Sequence, residues 1–138
     1  MRKPTICLLL LLCSLAAFGQ SQPQWRVVQS IILPNQTAPI TQTTLFTPTE
    51  AGLYRLTVYI SATALSSGEE WSFGLIWTDL VEQNPFTLTV SAVRNGPGTI
   101  TSIFSPRRNT PVSFQVAPAG SPPPNSHFNL AFTVEQLK

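Results

Sequence analysis

The chain is 138 residues long, 43% hydrophobic and 10% charged, with eight Lys and Arg against six Asp and Glu for a formal net charge of +2. That length holds one domain. Charge this sparse, against about 25% in ordinary soluble domains, excludes the basic stripe that nucleic acid or an anionic membrane would require.

The first residues read as an export signal. Arg2 and Lys3 form a short positive region, and Ile6 to Leu12 carry an apolar run with five consecutive leucines. Ala17-Phe18-Gly19 then supplies small residues where a signal peptidase cuts, so residues 1–19 are expected to be removed and the mature chain to begin at Gln20. The run from Thr5 to Phe18 is shorter than the ~20 residues that span a bilayer, which disfavours a retained transmembrane anchor. Cys7 and Cys13 both lie inside the signal, and Leu12 before Cys13 disfavours lipidation. The mature chain therefore has no disulfide, thiolate metal site or cysteine nucleophile. Losing Arg2 and Lys3 from eight basic residues leaves six against six acidic ones, a net charge of zero. Residues 20–138 are expected to form a single exported domain, secreted or periplasmic, with no membrane span and no nucleic-acid partner.

From there the chain reads as strand, turn, strand. Gln24 to Leu33 is a first strand, ended by Pro34-Asn35, and Thr37 to Thr47 a second one that Pro39 bends or confines to an edge. Gly52 then launches the most regular stretch, Leu53 to Ala64. Tyr54, Leu56, Val58, Ile60 and Ala62 point one way, and Arg55, Thr57, Tyr59 and Ser61 the other. After the polar turn Ser66–Glu70, Trp71 to Leu80 puts Trp71, Phe73, Leu75 and Trp77 on one face. Glu82-Gln83-Asn84-Pro85 turns the chain into Phe86, Leu88, Val90 and Ala92 alternating with Thr87, Thr89, Ser91 and Val93. Asn95-Gly96-Pro97-Gly98 is the strongest turn signal, since Asn-Gly tolerates positive φ. Thr99 to Ser105, Pro111 to Ala117 (Val112, Phe114 and Val116 inward) and His127 to Leu137 (Phe128, Leu130, Phe132 and Val134 inward) complete the series, the last after a proline-rich loop. No stretch after the signal has helical period. The expectation is an all-β antiparallel β-sandwich, a jelly roll of about eight strands.

Phe46, followed by Gly52-Leu53-Tyr54, Leu56, Val58 and Tyr59, resembles the Gly-hydrophobic-Tyr strand, with its upstream Phe, of the C1q and tumour-necrosis-factor-like jelly rolls. The Trp77-Thr78-Asp79 strand is similar to one in related bacterial and phage domains. The resemblance covers about a dozen residues and implies a jelly roll of ten or slightly fewer strands that assembles as a trimer and works by binding. Phe128-Asn129-Leu130-Ala131-Phe132 departs from the Phe-x-Gly-Phe ending of C1q, and no ligand-binding residue carries over.

Candidate chemistry is thin. His127 is the single histidine, so one chain cannot build a histidine ligand pair or triad, and a solvated strand-edge role is expected. Glu69-Glu70 and Asp79/Glu82 sit at opposite ends of one strand, roughly 30 Å apart at about 3.3 Å per residue. A two-carboxylate glycosidase site needs about 5–10 Å. No Asp-x-Asp pattern supports calcium, no Gly-x-Ser-x-Gly supports a serine nucleophile, and Asn95–Gly98 lacks the lysine and helix of a phosphate loop. Asn35-Gln36-Thr37 is an N-glycosylation triplet, relevant only in a glycosylating host. Neither catalytic residues nor cofactor nor metal are assigned.

The aromatics remain. Trp71, Trp77 and Tyr59 are candidates for stacking on sugars, against the alternative that the shared parity of Trp71, Phe73, Leu75 and Trp77 places those two tryptophans in the core. Leu53, Ile76, Val93 and Ile103 fall on the supposedly polar faces, which points to a surface covered by self-association. The expected function is therefore an exported, non-enzymatic binding or assembly module, a homo-oligomer with trimer favoured, docking on a glycan, a cell surface or protein. A carbohydrate-binding protein is the alternative, and a hydrolase the next.

Overall fold

The computed structural model describes residues 22–94, 96–119 and 125–138. The signal segment with its Gly19–Gln20 junction, Asn95, and residues 120–124 of the proline-rich loop lie outside them. The described residues form eight strands and no helix: β1 (Trp25–Gln36), β2 (Ile40–Phe46), β3 (Tyr54–Thr63), β4 (Glu70–Thr78), β5 (Pro85–Val93), β6 (Gly98–Phe104), β7 (Val112–Pro118) and β8 (His127–Leu137).

They build two four-stranded sheets, β1-β8-β3-β6 and β2-β7-β4-β5, in which every hydrogen-bonded pair is antiparallel. Strand 1 pairs with 8, 2 with 7, 3 with 6 and 4 with 5, as in one long hairpin folded over at its midpoint. Rolling that hairpin brings β3 beside β8 and β4 beside β7, which closes the two sheets of a jelly roll. β3 is the hub of its sheet, paired along its length with β8 on one side and with β6 on the other.

Alternation makes the core. Leu56, Val58 and Ile60 of β3 meet Trp71, Phe73 and Leu75 of β4, with Val112, Phe114 and Val116 of β7 and Phe128, Leu130, Phe132 and Val134 of β8 filling the space between the sheets. Phe73, Phe114 and Phe132 form a central triangle with ring centroids 5.2–6.1 Å apart. Burying each such side chain contributes about 1.5–3 kcal/mol, so this interior is the main source of stability among the described residues, which contain no cysteine.

Two expected boundaries are corrected. β1 does not stop at Pro34-Asn35. It continues to Gln36 because Asn35 takes a positive φ of 52° and the extra residues are absorbed as a bulge against β8. β2 begins at Ile40 rather than Thr37, immediately after Pro39, which has no N–H to give a ladder.

Candidate functional site

The outer face of the β1-β8-β3-β6 sheet is the candidate. Its composition follows from register. Ile32, Ala131, Tyr59 and Thr99 form one row across the sheet, Ser30, Thr133, Thr57 and Thr101 a second, and Val27, Glu135, Arg55 and Ile103 a third. The rows hold because β1 carries an extra residue at Val28 between Val27↔Glu135 and Gln29↔Val134. That bulge reverses the parity of β1, so that Trp25 and Val27 share a face with Ser30 and Ile32.

The second row is a band of hydroxyls. Ser30 and Thr133 share a hydrogen bond of 3.3 Å, and the Thr57 and Thr101 oxygens stand 3.5 Å apart. On either side lie exposed apolar side chains: Ile32 at 75% exposure, Val27 at 63%, Ile103 at 58% and Tyr59 at 45%. A shallow groove of about 230 Å³ runs between Ile32, Tyr59, Ala131 and the hydroxyls of Ser30, Thr57 and Thr133. The charges in the third row cancel. Arg55 donates from Nε to Glu135 Oε2 at 2.7 Å and from a terminal nitrogen at 2.6 Å, while its guanidinium lies 4.7 Å from the centre of the Trp25 ring. The face is thus apolar at its margins, hydroxylated in the middle and neutral.

The three aromatics singled out from sequence are not brought together. Trp71 has no exposed surface, packs its ring 4.7 Å from Phe128 and donates its indole N–H to the buried Ser126 hydroxyl at 3.0 Å. As a stacking platform it is corrected: its inward parity makes it core. Trp77 is half-buried at the other end of the sandwich, stacked on Phe86 at 5.8 Å and tilted against Phe104 at 5.3 Å. Its indole Nε1 is buried without a hydrogen-bond partner among the described residues. Only Tyr59 opens its ring to solvent on a sheet face.

Of the apolar residues flagged by parity, Ile103 belongs to the candidate face, and Leu53, one residue before β3 with the parity of Arg55, lies at its end. Val93 is exposed at the far end of β5, and Ile76 is half-buried on the opposite sheet. Trp25, Val27 and Ile32 were not singled out, and the only signal for them was that β1 carries apolar residues on both parities, interrupted by Arg26, Gln29 and Ser30.

The polar candidates stay apart. His127, at the start of β8, is bonded through Nε2 to the Thr63 hydroxyl at 2.7 Å. Glu69 accepts the Ser66 N–H at 2.6 Å, and Glu70 accepts from the Ser72 hydroxyl at 3.3 Å. Both border a polar cleft of about 280 Å³ with Arg94. Asp79, at the opposite end of β4, accepts the N–H groups of Val81 and Glu82 and so shapes its own turn. Among the described residues no group of three His, Cys, Asp or Glu is placed to hold a metal ion. Compared with known proteins, the chain matches no family model, no curated protein and no solved structure.

Proposed function

We propose that this is an exported binding module that acts by assembly rather than catalysis, and that copies of the chain associate through the outer face of the β1-β8-β3-β6 sheet. The observation that carries the proposal is the gathering of Val27, Ile32, Tyr59 and Ile103 on that one face, around a charge pair that neutralises itself. Removing apolar surface from water contributes roughly 2.5 kcal/mol per 100 Å² before the costs of association. A second copy brings no net charge to repel the first.

The face is small for a flat pair. Four strands about 4.8 Å apart and about eight residues long offer a projected face on the order of 500 Å², below the ~800 Å² per partner of a standard interface. The C1q-like resemblance implies a trimer, in which each subunit has two neighbours. Export would expose the mature domain, starting at Gln20, to these encounters outside the cytoplasm. Intact-mass measurement on exported material checks that start.

The test is the molar mass of the mature domain by light scattering at micromolar concentration. A trimer that falls to monomer in Ile32→Glu/Ile103→Glu, with unchanged circular dichroism, is expected. A wild-type monomer overturns the proposal. A second reading, carbohydrate binding, is favoured by the open Tyr59 ring beside the hydroxyls of Ser30, Thr57 and Thr133. It predicts a glycan-array signal that Tyr59→Ala abolishes and Ile103→Glu leaves intact.

A further inference from the structure

Four strands end the two sheets, β1 and β6 in one and β2 and β5 in the other. An edge strand presents a row of backbone N–H and C=O groups to any strand that can reach it. Three of these edges are guarded. β5 lies against β6, with the Gly98 backbone running close to the Ser91 carbonyl. β2 is only seven residues long, starts directly after Pro39 and loses register with β7 twice. The Thr43 hydroxyl also bonds the Thr41 carbonyl of the same strand at 2.8 Å.

β1 is not guarded. It is twelve residues long and pairs on one side alone, with β8. Between the bulge at Val28 and the ring of Pro34 lies Gln29–Leu33, which pairs residue for residue with Val134 back to Leu130. These five residues include no charge and no proline, the devices by which edges usually turn other strands away. Among the described residues, no backbone group of this stretch is bonded on its free side. The side chains are open too. Ile32 is 75% exposed on the outer layer, and Ile31 and Leu33, although packed against the core on the inner layer, are only half-buried.

The occupant this edge fits is the same edge of a second copy. A strand added here needs a free edge of its own, five uncharged residues, and apolar side chains toward both layers. Among the described strands β1 alone supplies all three. Two β1 strands meet antiparallel about a twofold axis, so each covers the other's edge and growth stops at a pair. The strand itself fixes where that axis falls. Centred on Ile31, the pairing uses all five residues: Ile31 faces Ile31 of the second copy, Ser30 faces its Ile32, and Gln29 faces its Leu33. Centring on Ser30 would bring the Val28 bulge into the ladder, and centring on Ile32 would bring in Pro34. Pairing about Ile31 also removes the half-buried Ile31 and Leu33 from water on the side where the core of their own chain ends.

We propose that two copies of the domain join edge to edge through Gln29–Leu33 of β1, in register about Ile31, to make one continuous antiparallel sheet of eight strands. The contact uses the edge of the strand and not the outer face of the sheet, so it stands apart from the association proposed above. Five paired residues bury less than a standard interface, so the pair is weak and forms at high local concentration. What it adds is breadth, since the outer faces of the two copies come to lie side by side as one surface.

The test uses the chain from Gln20 to Lys138, which has no cysteine of its own, with Ile103→Glu to disable the outer face. Ser30→Cys and Ile32→Cys, both at exposed positions, are oxidised separately and as an equimolar mixture at about 0.5 mM, where a contact of this size is populated. Directly opposed residues of antiparallel strands lie within disulfide reach, and this register puts Ser30 opposite Ile32 but neither opposite itself. The mixture is expected to form covalent dimer about tenfold faster than either variant alone, with unchanged circular dichroism. No dimer, or dimer formed as fast by a single variant as by the mixture, overturns edge pairing. Because Ile103→Glu is present throughout, the molar mass of the wild-type chain at micromolar concentration bears on the outer face alone and does not enter this result.

Discussion

Gly98 opens β6 where that strand crosses the mouth of the sandwich beside β5. A methyl group there would lie 2.3 Å from the Ser91 carbonyl oxygen, 2.7 Å from its carbon and 2.9 Å from Val90 Cγ2. Two of those three atoms are backbone, held by the Ser72↔Ser91 pairing to β4 and by the 2.7 Å bond between the Ser72 and Ser91 hydroxyls. They cannot swing aside as a flexible side chain would, so either β5 or β6 must shift by the better part of an ångström. Overpacking of this kind costs about 1–3 kcal/mol, sometimes more. The stiffer unfolded chain returns only about 0.4–1 kcal/mol. Gly98→Ala is therefore expected to lose roughly 1–2 kcal/mol or more, equivalent to a fall of about 5–10 °C in Tm for a domain of this size. Thermal and urea unfolding of the mature domain measure it, with Gly74→Ala as control, since a methyl there meets Gln115 Cγ at an ordinary 3.5 Å. If Gly98→Ala is as stable as Gly74→Ala, close approach of the two backbones is not what glycine serves at this position.

Trp71→Phe strands the Ser126 hydroxyl in the interior and should cost about 1–3 kcal/mol; Trp77→Phe removes an N–H that has no partner among the described residues and should cost clearly less, by urea unfolding. Burial raises the Tyr54 phenol above its usual value of 10.0. The fold thus favours its neutral form, and its contribution, complete below pH 10, is lost as pH rises through the unfolded and then the folded pKa. Tyr54→Phe should flatten that alkaline fall in a pH series of unfolding midpoints. Asp79→Ala frees two N–H groups in the 79–84 turn and should destabilise by about 0.5–2 kcal/mol, by analogy with helix caps that bond the same way, with faster amide exchange at Val81 and Glu82.

Much of the fold was legible because period-two alternation is a local property. Tyr54, Leu56, Val58 and Ile60 announce an inward face from their spacing alone, as do Trp71, Phe73 and Leu75, and Phe128, Leu130, Phe132 and Val134, and all of these are core residues. Alternation also contained the answer to Trp71, whose neighbours in parity are Phe73 and Leu75. Trp77 shares that parity yet lies one pair from the turn that closes the β4–β5 hairpin, where Phe86 covers it only in part. Parity says which side a residue faces, but not how far along the strand the opposing sheet continues.

The outer face was not legible, for two physical reasons. Its rows join residues as distant in sequence as Ser30 and Thr133, or Thr57 and Thr101, and only the folding over of the long hairpin makes them neighbours. The single extra residue at Val28 then inverts β1 midway, so Val27 and Ile32 share a face that strict alternation would deny them. Composition and spacing were enough to determine an all-β chain with an apolar interior and scarce charge. Which apolar residues were left over to gather on one surface was decided by register and a bulge, because both depend on pairings that no local window of sequence contains.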